Sequence, residues 1–175
     1  MQRVYRSKFD KFYRVGWIVF HAILIRYSPV PMFKYRAYLY RLWGSDFNKN
    51  GLIYPSTRVW DPRQLKVGSG ACIGPYANIY NVCQVSIQDG GLVSQYSYLC
   101  TASHDFNNKE FHLIGAAISV GVGSWICADC FIGPSVNIEK YAVCLARSVV
   151  VKDVQAYVIT GGNPSKNVGI RKGVT

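Results

Sequence analysis

Val120, Ile126, Ile132, Ile138, Cys144 and Val150 follow one another at every sixth position. Four residues after each stands another small or apolar one: Ser124, Cys130, Val136, Ala142, Ser148 and Val154. An amphipathic helix repeats at 3.6 residues and a half-buried strand at 2, and neither period generates this pattern. A six-residue period predicts a parallel β-helix, in which each hexad forms one flat face of a coil and its aliphatic residue points inward. The same period occurs earlier at Val67, Ile73, Ile79 and Val85 and, after a two-residue phase slip, at Ile87, Val93 and Leu99. It stops at His104-Asp105 and resumes near Val120, so the segment Asp105–Ala117 is expected to be a loop thrown out of the coil. Stacked coils need covered ends. Residues 44–66 are expected to cap the coil, and Ala156–Thr175 to form a tail after it.

The first quarter of the chain reads differently. Residues 1–43 hold nine Lys or Arg against one acid, Asp10, and so account for +8 of the net charge of +11. They are expected to form a basic, aromatic helical appendage, with residues 44–175 forming the β-helix domain. The apolar run Val15–Ile25 is eleven residues long, whereas a bilayer span needs about 20. No small-residue cleavage site of a signal peptide follows it. Phe9, Tyr13, Trp17, Phe20, Leu24 and Tyr27 fall at helical spacing, and Pro29 and Pro31 would end that helix. Met32–Trp43 fits a second short helix carrying Lys34, Arg36 and Arg41. Two readings stay open: the helices pack on the coil or a neighbouring subunit, or their aromatics and bases seat the protein on an anionic membrane surface. No nucleic-acid module accompanies the charge, so nucleic acid is not an expected partner.

The six cysteines are expected to be free thiols rather than disulfides. Cys144 falls on the inward column and Cys83 and Cys130 on the small-residue positions, where a thiol behaves as a small hydrophobe. That usage suits a reducing, cytoplasmic setting. Cys127 and Cys130 match C-x-x-C, yet no second pair or nearby histidine completes a zinc set, so no metal is expected. Of the three histidines, His21 sits in the apolar run and His112 in the extruded loop. His104 stands where the coil gives way to the loop, a place where sites are commonly built on a rigid scaffold.

The hexads, the stretch Ser94–Asp105 (SQYSYLCTASHD) and the later Gly162-Asn163-Pro164-Ser165-Lys166 resemble the left-handed β-helix, hexapeptide-repeat acyltransferases. Within these the chain looks most like the colanic-acid-biosynthesis type of O-acetyltransferase, a relative of maltose and galactoside acetyltransferases. The resemblance extends over nearly the whole chain and implies a homotrimer, with acetyl-coenzyme A in a groove between neighbouring coils and a carbohydrate as acceptor. It makes His104 the general base, with Asn81 and Asp105 on the acceptor side. It places Trp125, Ala128, Ala146, Lys152, Asn163 and Lys166 along the coenzyme; Ala128 stands where some relatives have serine. It implies O-acetylation of a sugar hydroxyl of a surface polysaccharide or its lipid-linked precursor, in the cytoplasm or at the inner membrane face.

Other readings remain. The acceptor could be serine, an amino sugar or a xenobiotic, or the solenoid could be a non-catalytic assembly module. A γ-type carbonic anhydrase needs three histidines converging on zinc, and only His104 and His112 lie in or beside the coil. Cys100 directly follows the inward Leu99, so it is expected to face away from the column, where it could carry acyl groups if its thiolate were accessible.

Overall fold

From Asp46 to Val150 the chain advances in strands of two or three residues joined by tight corners. One inward aliphatic side chain per short strand is enough, because each stacks on its equivalent in the next coil. In the computed structural model, which describes residues 1–5 and 7–173, these strands form three parallel faces wound as a left-handed β-helix of five coils and the start of a sixth. Face one carries Phe47, Val67, Ile87, Val120 and Ile138; face two carries Ile53, Ile73, Val93, Ile126 and Cys144; face three carries Val59, Ile79, Leu99, Ile132 and Val150. All fifteen are buried, and they belong to one continuous apolar cluster.

The corner between faces two and three has the same length in every coil. Three residues follow the inward aliphatic, then a buried small residue: Thr57, Ala77, Ser97, Cys130 or Ser148. The third corner residue takes a left-handed backbone at Tyr76, Tyr96, Asp129 and Arg147 (φ 60°, 61°, 61° and 61°). The buried hydroxyls are satisfied along the same edge, as where Ser97 Oγ donates to the Cys127 carbonyl of the next coil at 2.9 Å. The equivalent corner between faces one and two uses Gly70, Gly90 and Gly123 at φ 66°, 65° and 61°. The next coil takes the same backbone at Tyr141 (φ 60°), and it is the Tyr141 ring, 2.5 Å from where a Cβ on Gly123 would stand, that favours glycine there.

The structure corrects the expectation of a cap at residues 44–66. Asp46–Phe47, Leu52–Ile53 and Arg58–Val59 already pair in parallel with the next coil, so this segment is the first coil. The aromatic Phe47 and the lengthened corner at Asp61–Gln64 hid it from the aliphatic count. The extruded segment also differs from a plain loop. It leaves the coil at Ala102, and Ala102–His104 pairs antiparallel with Leu113–Gly115 as a hairpin. Gln2 and Arg3 add a third strand to that hairpin, opposite Gly115 and Ile114. After the coil, Val158–Gly161 and Lys166–Ile170 form an antiparallel pair that closes the end. The last two residues of the predicted tail, Val174 and Thr175, lie outside the described residues, as does Arg6 of the basic segment.

Helix α1 (Lys8–Phe20) starts with a capping box between Ser7 and Asp10. A π-helical turn, His21–Ile25, continues it, with Arg26 N–H donating to the His21 carbonyl at 2.8 Å. The wider turn shifts the helical phase. Ile25 is therefore buried, while Leu24 and Tyr27 of the predicted stripe face out, as does Phe9. Trp17 is the anchor: its Nε1 donates to the Val59 carbonyl at 2.8 Å, and Tyr40 and Trp43 pack on its ring. Helix α2 (Phe33–Leu42) buries Ala37, Leu39 and Tyr40 against the first coil. Arg36 is no solvated base. It is fully buried, donating from Nε to the Ile53 carbonyl at 2.6 Å and from its two terminal nitrogens to the Pro29 and Val30 carbonyls.

Candidate active site

His104 lies at the tip-ward end of the first hairpin strand, on the edge where face three turns into face one. It is exposed, and its Nδ1 is 2.6 Å from the Phe111 carbonyl. A carbonyl only accepts, so Nδ1 carries the proton and Nε2 keeps its lone pair, the tautomer a general base needs. The hairpin supplies this arrangement: the register sets His104 opposite Leu113, and Phe111 reaches its carbonyl back through a left-handed backbone at φ 46°. Asp105 starts the hairpin turn, its N–H donating to the His112 carbonyl and its Oδ1 accepting from Asn107 N–H at 3.2 Å. His112 pairs with Glu110 at 2.7 Å.

Asn81 is not presented to an acceptor as expected. It is fully buried, its Oδ1 accepts from Trp60 and Asp61 N–H at 3.1 and 3.0 Å, and its Nδ2 donates to the Asp61 carbonyl at 2.6 Å. Trp60 N–H also donates to the Ile79 carbonyl at 3.0 Å, so it is shared, whereas the lengthened corner carries Asp61 N–H off the ladder and the carboxamide accepts from it. Cys100 is buried too, with Sγ turned 3.2 Å from the Ala102 carbonyl, so it is not the accessible thiol that its place beside Leu99 suggested. All six cysteines are free thiols; burial raises Cys130 to about 11 and pushes Cys144 further up, so both stay protonated.

Most of the residues expected along the coenzyme lie away from that edge; Lys152, in the corner between Val150 and Val154, is the exception. Trp125 projects from face two, more than two-fifths exposed, with its Nε1 donating to Ser94 Oγ at 2.9 Å. Ala128 and Ala146 occupy equivalent corner positions in successive coils, and the Ala128 carbonyl accepts from Arg147 N–H. The turn holding Asn163 folds onto the last coil of the same edge, through Val149 N–H to the Gly162 carbonyl at 3.0 Å. The Asn163–Pro164 peptide is cis and Gly162 has φ 100°. Lys166 begins the strand after that turn, and Lys152 borders a cleft of about 240 Å³ with Ser165 and Asn167. One chain therefore puts the imidazole on one edge of the prism and Ala128, Ala146 and the Asn163 turn on another, with face three between them, while Lys152 stands on the imidazole's edge several coils further on. The sequence reading missed the Phe111 carbonyl, which no side-chain pattern could reveal. Among the described residues no cluster of His, Cys, Asp or Glu could hold a metal ion.

No family profile matches the chain. It is 36% identical over 149 residues, 85% of this chain and 82% of the relative, to the colanic acid biosynthesis acetyltransferase WcaF of Escherichia coli (strain K12). A maltose O-acetyltransferase from Clostridium difficile 630 superposes with a TM-score of 0.85 at 20% identity, over 95% of this chain and 90% of the other. A Vibrio cholerae hexapeptide-repeat acetyltransferase, solved with acetyl coenzyme A, gives 0.80 at 22% identity over 95% and 91%. The prism of stacked hexads is thus the fold of the hexapeptide-repeat acetyltransferases. By its kinship to WcaF the chain belongs to that family, in its colanic-acid-biosynthesis branch.

Proposed function

We propose that this acetyltransferase moves an acetyl group from acetyl-coenzyme A to a sugar hydroxyl, of a surface polysaccharide or its lipid-linked precursor, with His104 as general base. The observation that carries the reading is the Nδ1–Phe111 contact, which leaves Nε2 of an exposed imidazole free to accept a proton. The acceptor O–H gives its proton to Nε2 as its oxygen attacks the thioester carbonyl carbon. The oxyanion collapses, the C–S bond breaks, and the leaving sulfur takes the proton back from the imidazolium. Base assistance of this kind contributes about 10²–10⁴-fold, and backbone N–H groups would hold the oxyanion. Direct transfer is favoured over a thiol relay because Cys100 is buried. Trp125, Ala128, Ala146, Lys152, Asn163 and Lys166 would border the coenzyme.

The two-edge arrangement supports a homotrimer, since the imidazole of one prism can meet the coenzyme edge of a neighbour only across an interface. Buried free thiols favour a cytoplasmic setting. The outer side of α1 and its π turn supports peripheral contact with the inner membrane face: Phe9, Phe12 and Ile23 are exposed by 70%, 78% and 68%, with Lys8 and Lys11 on the same helix. No helix among the described residues is long and apolar enough to cross a membrane. Purified protein given labelled acetyl-coenzyme A and a panel of saccharides, amino sugars, serine and xenobiotics tests the activity. Label on a sugar oxygen is the expected result; label only on nitrogen or on none overturns it.

A further inference from the structure

A cavity of about 510 Å³ lies between α1 with its π turn and the outer surface of face three. Three arginines border it, Arg14 and Arg26 from the helical side and Arg58 from the first coil, and no acidic residue does. Arg14 sits over the Trp60 ring, 3.0 Å from guanidinium carbon to centroid, and Trp60 packs edge-on to Tyr80 at 4.7 Å. Three like charges around one cavity, with no carboxylate in its lining, favour an anion there. The wall also holds His21 Nε2 and Trp60 Nε1, both buried and without a hydrogen-bond partner. Buried polar atoms are nearly always paired. An indole N–H can only donate, so the partner it lacks is an acceptor. Guanidinium groups match phosphoryl oxygens in both charge and geometry, and the volume suits a small charged group with one sugar attached.

We infer that this cavity is a phosphoryl-anion site that takes the phosphate or diphosphate of the acceptor, so that the substrate is a phosphate-linked saccharide and not a free sugar. This deepens the sugar-acetyltransferase reading and rests on it. Topology places the cavity within reach of the base. Tyr80, in its wall, is the register partner of Cys100, and four residues of extended chain lead from Cys100 to His104. Those steps span at most about 20 Å.

The test uses the full-length protein saturated with coenzyme A, so that the donor's own phosphate contacts are filled. Inorganic pyrophosphate is titrated calorimetrically into wild type, Arg58→Gln, Arg26→Gln and Arg58→Lys. Arg58 and Arg26 are exposed, and unchanged melting temperatures certify the fold of the variants. Loss of one charge-assisted contact should weaken binding about tenfold or more in each Gln variant, with Arg58→Lys between these and wild type. In parallel, wild type should acetylate a saccharide diphosphate with at least about tenfold higher kcat/KM than the same saccharide without phosphate. Equal kcat/KM for the two saccharides, or pyrophosphate affinity untouched by both Gln variants, overturns the site. Arg58-dependent retention on phosphatidylglycerol vesicles without pyrophosphate binding would make it a headgroup contact and overturn the acceptor assignment. Acetylation of neither saccharide, with Arg58-dependent pyrophosphate binding intact, would instead overturn the sugar-acceptor reading and leave the anion site standing.

Discussion

Two edges of the same prism behave differently. Where face two turns into face three, every coil spends three residues, from Tyr54–Ser56 to Leu145–Arg147, and repeats one backbone path with a left-handed third residue in four of the five. Where face three turns into face one, the length changes. Five residues separate the inward Val59 from Leu65 and Ile79 from Val85, a whole hairpin separates Leu99 from Ile118, and three residues separate Ile132 from Val136. The first edge is fixed by stacking, since an extra residue in one coil would break register with the coils above and below. The second tolerates insertions because the surplus chain leaves the stack. There the protein has put its asparagine brace, Trp60 and Tyr80 of the arginine-bordered cavity, and its histidine.

The sharpest way to break this contrast is to cut the chemistry from the variable edge. His104→Ala should lower acetyl transfer by about 10²–10⁴-fold while leaving the melting temperature unchanged, since the ring is exposed. A loss below tenfold would mean the proton goes elsewhere. The constant edges should fail in the opposite sense. Ile126→Ala, in the middle of the face-two column, should cost about 2–5 kcal/mol in denaturant unfolding, and a cost under 1 kcal/mol would deny that the column holds the coils together.

Asn81→Ala separates bracing from acceptor binding. It strands the buried Asp61 N–H group and should cost about 1–3 kcal/mol of stability. A stable variant with a raised acceptor KM would restore the role that the family resemblance gave this residue. The smallest effect belongs to Asp10, whose carboxylate accepts from Ser7 and Arg63 and is thereby held at about 2. A depressed carboxylate stabilises the fold above its unfolded value, near 3.9, and that contribution fades as pH falls toward 2. Acid titration of wild type against Asp10→Asn should therefore converge at low pH, and parallel curves would show that the cap is idle.

What could be read in advance followed the same division. The hexads from Val120 to Val150 are legible because tight corners keep the spacing at six. The first coil was not, since Phe47 interrupts the aliphatic run. On α1 the stripe put Leu24 in line with Trp17 and Phe20, but a π turn leaves no trace in residue types, and Ile25 is the residue buried there. Nothing in the sequence sets Arg36 apart from Lys34 and Arg41 on the same helix; only the fold brings the Ile53, Pro29 and Val30 carbonyls around it. His104 could be singled out from its position and from family likeness. The carbonyl that orients it depends on the hairpin register, which two- and three-residue strands do not encode in any period.

The strand Gln2–Arg3 beside Gly115 and Ile114, extended by Val4 N–H to the Leu113 carbonyl at 2.9 Å, has a practical corollary. The opening residues of the polypeptide are stapled to the arm that displays the imidazole. A purification handle fused ahead of Met1 would pull on that arm, whereas one appended beyond Thr175 would leave it alone.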